Sequence, residues 1–352
     1  MDRKRTALGI AAAGTATGVV GLVLLATPAG AGETPPALPE TTPEALVQSV
    51  LDADVPALAG TVELTNDLGL PIPGVPSSDG HMARVFTDGE GRFRLALEGE
   101  RSGERTIVGD GATTWVWDSK DRSVLRFEGM EHGVTPQDGL ADPATASREL
   151  VELMRKDSTI TIDGTARVAD RPVYQLVLTP KPTERTLLRE VRVSVDEATR
   201  LPLRLEVLAN GQAEPALSVG FSDFDTGAQD PALFRFTPPA GATVTDGAQG
   251  SKHVEGNALL EDLDLEVVGE GWDTVLVGKV PTQIMSTPVP SENGDETDPM
   301  ALLSQFGSEV TGEFGTGYAI TTKVGTALVT TDGRVALGAV PQQVLAEALA
   351  TK

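Results

Sequence analysis

From Gly60 to Phe236 hydrophobic and polar residues alternate with a period of two. Arg92-Phe93-Arg94-Leu95-Ala96-Leu97-Glu98 puts Phe93, Leu95 and Leu97 on one face and charges on the other. Thr113-Thr114-Trp115-Val116-Trp117 repeats the device with both tryptophans on a common face. Val124 to Phe127, Tyr174 to Leu178, Val191 to Val195 and Leu201 to Leu208 follow. Such alternation predicts strands with one face on a core or cavity and the other in water. The expectation is that Phe93, Leu95, Leu97, Trp115, Trp117, Tyr174, Leu176 and Leu178 share one concave apolar face. The links are turn-like: Asp88-Gly89-Glu90-Gly91, Gly109-Asp110-Gly111, Asp118 to Asp121, Asp196 to Thr199 and Asn210-Gly211. Links this short predict an antiparallel meander.

Helical spacing occurs in three places. Thr42-Pro43-Glu44 opens a helix: Thr42 caps, Pro43 suits the first turn and Glu44 favours the dipole. Leu46, Val47, Val50 and Leu51 are its apolar face. Pro143 to Lys156 places Ala146, Leu150, Leu153 and Met154 at helical spacing, either as a lid over the sheet or as an ordinary packing helix. Pro341 to Leu349 predicts a terminal helix with Val344, Leu345, Ala348 and Leu349 inward. Before it, Val275 to Val280, Tyr318 to Thr321 and Thr326 to Thr330 read as strands, and Thr331-Asp332-Gly333-Arg334 as a hairpin turn. Ser291 to Pro299 reads as an acidic loop. Residues 242–256 are Gly-rich and polar, a linker between a larger first domain and a smaller second one.

The first residues change the setting. Arg3, Lys4 and Arg5 precede an uncharged run from Thr6 to Gly32 that ends in Ala29-Gly30-Ala31. This reads as an export signal, either cleaved or retained as an anchor. Both place the remaining chain outside the cytoplasm. Glu33 to Thr42 is a Pro/Thr/Glu tether. About 320 residues follow the leader, enough for two domains. There is no cysteine, so neither a disulfide nor a lipidated thiol is available. Removing the leader's +2 from the chain's −23 leaves −25, which repels nucleic acid and anionic surfaces.

Raw material for catalysis is scant. The histidines are His81, His132 and His253, far apart in sequence, and no G-x-S-x-G elbow occurs. Asp223, Asp225 and Asp230 form one acidic group; Glu292, Asp295, Glu296 and Asp298 form another. Neither has calcium-loop spacing, so neither a metal nor a cofactor is expected. Trp115 and Trp117 stand out because aromatics make up 4% of the chain. They fill a dry core under a helix, or they wall an apolar cavity.

Three stretches resemble the fold family of the periplasmic lipoprotein carrier LolA and the amino-terminal domain of the envelope-stress regulator RseB (MucB). The first is the opening helix followed by Ala59-Gly60-Thr61-Val62-Glu63-Leu64. The second is Tyr174 to Lys181, a charged strand, and Asp196 to Leu205. The third is Phe221-Ser222-Asp223-Phe224 followed by Asp230-Pro231-Ala232-Leu233-Phe234-Arg235-Phe236-Thr237-Pro238-Pro239-Ala240-Gly241. The resemblance covers roughly residues 43–245 and no catalytic motif. It implies a mainly β fold with a few helices (α+β): an unclosed antiparallel β-barrel wrapped over helices, with an apolar hollow for acyl chains. A smaller α+β carboxy-terminal domain, 257–352, would follow. Phe93, Leu95, Leu97, Trp115, Trp117, Phe127, Tyr174, Leu176, Leu178 and Phe221 are then the candidate lipid-binding residues. The resemblance implies a lipid or an acylated protein as partner; the acidic surface argues against nucleic acid, and the scant catalytic material against an enzyme. One alternative is a regulatory protein that meets a membrane-bound signalling partner; another is a lipid hydrolase. Leu68 to Pro76, apolar and Pro-rich, is a flap or a loop tucked onto the sheet.

Overall fold

The computed structural model describes residues 35–68, 81–99, 103–128, 156–247, 266–280, 289–290, 296–297, 303–305 and 307–350. Helix α1, Pro43–Leu51, begins where the capping residues place it. The Thr42 hydroxyl accepts the Ala45 N–H at 3.2 Å, and Leu46, Val47 and Val50 are buried. The strands that follow are β1 (Leu58–Asn66), β2 (His81–Thr87), β3 (Phe93–Gly99), β4 (Gly103–Gly109), β5 (Thr113–Asp118) and β6 (Ser123–Glu128). Next come β7 (Ser158–Val168), β8 (Arg171–Pro180), β9 (Leu188–Asp196), β10 (Pro202–Ala209), β11 (Leu217–Thr226) and β12 (Thr243–Asp246). Every stretch marked by alternation forms a strand.

These twelve strands make one open sheet in the order β12-β6-β5-β4-β3-β2-β1-β11-β10-β9-β8-β7. Sequence neighbours pair antiparallel, as the short links require. Two hairpin series are joined where β1 pairs with β11, and β12 alone runs parallel, beside β6. The turns use local chemistry. Asp88, Asp110 and Asp118 each accept backbone N–H groups of their own turn through a carboxylate oxygen. Gly89, Gly91 and Gly111 take the positive φ that such turns need.

The core lies on one side of this sheet. Cross-strand partners share a face, and the register links Leu176, Val193, Leu205, Val219 and Leu64 in a row from β8 to β1. All five are buried, Leu176 and Val193 completely. Helix α1 lays Leu46, Val47 and Val50 into the same cluster. The Tyr174 hydroxyl donates to the Pro39 carbonyl at 2.9 Å, which pins the chain just before the helix.

A second sheet contains β13 (Glu266–Val268), β14 (Val275–Lys279), β17 (Ser308–Gly312), β18 (Gly315–Thr321), β19 (Thr326–Thr330) and β20 (Arg334–Gly338), in the order β13-β14-β20-β19-β18-β17. A two-residue pair, β15 (Val289–Pro290) with β16 (Glu296–Thr297), stands apart. The expected strands, the Thr331–Arg334 turn and the terminal helix all occur. Helix α2, Gln342–Ala350, buries Val344, Leu345, Ala348 and Leu349 against the sheet. Both sheets fall in the compact unit Leu38–Lys352. They meet through Trp272, whose Nε1 donates to the Ser158 hydroxyl at 2.8 Å. The Ala339 carbonyl also accepts from the Leu187 N–H and the Thr186 hydroxyl.

The leader, the loop beyond Leu68, the helix expected at 143–156 up to its last residue, the linker beyond Gly247, most of the Ser291–Pro299 loop, His132 and His253 lie outside the described residues. Among the described residues no helix is long and apolar enough to cross a membrane.

Candidate functional site

The apolar face continues beyond the closed core onto β2–β6. Val85, Leu95, Ile107, Val116 and Leu125 form one row across these strands; Thr87, Phe93, Gly109, Thr114 and Phe127 form the next. Leu95 and Ile107 are buried, but Val85, Phe93, Leu97, Val116, Leu125 and Phe127 are only half-buried. On the half under α1 most of the corresponding residues are sealed, with Val207 and Leu217 of β10 and β11 half-buried.

Three rings on this face, Phe93, Phe127 and Phe221, pack closely over Gly109, Gly247 and Gly60. A Cβ on Gly109 would come within 2.3 Å of the Phe93 ring, and one on Gly60 within 2.6 Å of the Phe221 ring. The glycines let each ring pack down onto backbone. On this apolar floor Phe93 and Phe127 belong to the half-open part and Phe221 to the closed core.

The ten candidate residues separate into three groups. Phe93, Leu95, Leu97 and Phe127 lie on the half-open part of the floor. Tyr174, Leu176, Leu178 and Phe221 share its side of the sheet but belong to the sealed core, at 3% exposure or less. Trp115 and Trp117 face the other way, which corrects the expectation of a shared face. Ile107 pairs with Val116, so Val116 carries the apolar face through β5, while Trp115 pairs with Val108 and Trp117 with Thr106 on the reverse side. Val85, Val116 and Leu125 join the floor unpredicted. Their signal was present: Ile107-Val108, Trp115-Val116-Trp117 and Val124-Leu125 are apolar on consecutive positions, the mark of strands covered on both faces.

The Trp side is covered by the residues that follow β11. Asp230 caps a 3-10 turn, Pro231–Phe234, its carboxylate accepting the Ala232 N–H at 2.9 Å. Phe234 is buried against β3, with the Arg92 guanidinium 5.5 Å from its ring centre. Phe236 packs on Trp115 with ring centres 5.8 Å apart. Arg122 Nη2 donates to the Ala240 carbonyl at 2.7 Å, and the chain then enters β12 beside β6. The Asp-Pro-x-x-Phe-x-Phe-x-Pro-Pro stretch is therefore a strap across this side of the sheet that meets Trp115 through Phe236.

The buried ion pair of β8 and β9 is structural. Asp196 is fully buried and accepts both Nε and Nη2 of Arg171 at 2.7 Å, together with the N–H and hydroxyl of Thr199. Burial pushes its carboxyl up, but the Arg171 guanidinium and the Thr199 donors outweigh this and hold it below the ordinary carboxylate range. Among the described residues no group of three metal-ligating side chains converges. A hollow of about 100 Å³ lies between β6 and β12, lined by Arg126, Glu128, Val244 and Asp246. It is smaller than a ligand pocket of about 300 Å³ and too polar for an acyl chain.

No family model and no curated protein matches the chain. Among solved structures, the chain is similar to the MucA/MucB complex of Pseudomonas aeruginosa: 16% identity over 87% of this chain and 94% of that one, TM-score 0.43. It is also similar to a LolA superfamily protein of Nitrosomonas europaea, at 12% identity over 56% of this chain and 99% of that one, TM-score 0.26. A third is a putative outer membrane lipoprotein-sorting protein domain of Vibrio parahaemolyticus, at 13% identity over 55% of this chain and 98% of that one, TM-score 0.23.

Proposed function

We propose that this chain is an extracytoplasmic lipid- or lipoprotein-binding protein, a carrier or a sensor, that shields an acyl chain on the β2–β6 part of its apolar floor. The supporting observation is the division of one continuous apolar face. Most of its β8–β11 half is sealed, with α1 packed into it and Val207 and Leu217 half-buried, while on β2–β6 Phe93, Leu97, Val116, Leu125 and Phe127 are all half-buried. The leader read from Arg3 to Ala31 supports a place outside the cytoplasm. Each acyl methylene moved from water onto the floor contributes about 0.8 kcal/mol. Protein purified from its own envelope should carry acyl lipid in stoichiometric amount, measured by extraction and mass spectrometry. Protein that emerges free of lipid and fails to bind a fluorescent fatty acid would refute the reading.

A further inference from the structure

The floor becomes polar at one edge. Beside the Val85–Leu125 row, the register sets Ala83, Leu97, Arg105, Asp118 and Ser123 side by side on the same face. Arg105 is the only arginine or lysine that β1–β6 place there. Exposure along β4 rises at this point: Ile107 is buried, Arg105 is half-buried, and Glu104 and Gly103 are exposed. Arg105 thus stands at the rim, where the floor meets water.

Its charge is uncommitted. The residue opposite is Asp118, which would be the natural partner, yet the two are not within ion-pair distance. The Asp118 carboxylate instead turns into its own hairpin, accepting the N–H groups of Lys120 at 2.9 Å and Asp121 at 3.3 Å. Arg171 is held by Asp196 and Arg192 by Glu190, whereas Arg84, Arg94 and Arg204, which the register sets on the reverse face, resemble Arg105 in having no side-chain ion pair or hydrogen bond among the described residues. Among the described residues the Arg105 side chain has neither an ion pair nor a hydrogen bond. In a chain of net charge −23 such a cation, at the end of an apolar surface, has the placement of a headgroup contact. A guanidinium offers two parallel N–H donors to a carboxylate or phosphate.

We propose that the ligand is an acyl amphiphile with an anionic headgroup, carboxylate or phosphate, and that Arg105 binds that headgroup while the chain lies along Leu97, Ile107 and Val116. The inference rests on the acyl-binding reading above and adds the headgroup class. Calorimetric titration of the full exported chain with palmitate, lysophosphatidylglycerol and uncharged monopalmitoylglycerol tests both. At least one anionic amphiphile should bind about tenfold more tightly than the uncharged one, the gain expected of one charge-assisted contact at a partly exposed site. The better anion identifies the headgroup. Arg105→Gln should remove that preference and leave the uncharged ligand's affinity unchanged; Arg105→Lys should keep part of it. Equal affinity for all three ligands in the unaltered protein would overturn the anionic headgroup and the role of Arg105 together; a preference that survives in Arg105→Gln would overturn the role of Arg105 alone. Absence of binding by any of them would overturn the acyl reading and this proposal with it.

Discussion

A glutamate placed at Leu97 and, separately, at Leu176 distinguishes a binding floor from a dry core. Both leucines lie on the same side of the main sheet, but Leu176 is 0% exposed and Leu97 only half-buried. Leu176→Glu removes a fully buried side chain, worth about 1.5–3 kcal/mol. It also leaves a carboxylate with no partner, which costs several kcal/mol more. Together these approach the whole stability of a domain, about 5–15 kcal/mol, so the protein should not fold. Leu97→Glu loses roughly half of one leucine's burial, about 1 kcal/mol, and its charge reaches water at the rim. Its melting temperature should fall by roughly 2–4 °C, while the acyl chain loses part of its wall and gains a repelling carboxylate. Thermal unfolding and fatty-acid titration on the same preparations measure both effects. Loss of the melting transition in Leu97→Glu would show that the floor is closed core at β3. A folded Leu97→Glu that binds like the unaltered protein would remove β3 from the site.

Two further outcomes follow from the fold. Arg171→Met leaves Asp196 charged and buried, so urea unfolding at pH 7 should show a loss of about 3–5 kcal/mol. Because the folded-state pKa of Asp196 is depressed, the pair's contribution is present above the unfolded value of about 3.9 and lost as pH falls through the folded value. The gap between variant and unaltered protein should therefore narrow below about pH 4; a constant gap would refute this. Limited proteolysis should cut first in the Gly-rich stretch 248–256, giving two fragments that remain associated through Trp272, Ala339 and their partners. A first cut within either sheet would count against two domains joined there.

What the sequence revealed and what it concealed differ in range. Thr42 capping α1, the inward residues of α2 and each alternating strand are short-range consequences of side-chain chemistry and period. They were readable from segments of ten residues or fewer. The strap was visible only as an unusual string. Asp230 capping, Phe234 burial and Phe236 stacking on Trp115 have clear physical roles, but their target lies more than a hundred residues earlier, where local patterning cannot reach.

The tryptophans show the limit most sharply. Period two fixes which residues of one strand agree, not which face of the next strand they join; that depends on register. Phe93 pairs with Gly109, odd number with odd, so parity is kept from β3 to β4. Gly109 pairs with Thr114 across a four-residue link, so parity is exchanged from β4 to β5. The apolar face therefore passes to Val116 and the tryptophans turn to the reverse. Double-sided apolar strands such as β5 can satisfy either register by hydrophobicity alone. Here the Asp110 turn selects one, its carboxylate accepting the N–H groups of Ala112 and Thr113. That turn places Trp115 and Trp117 on the strap's side of the sheet and leaves the smaller Val116 on the floor, and the bulk of two indoles is kept off the surface proposed to take an acyl chain.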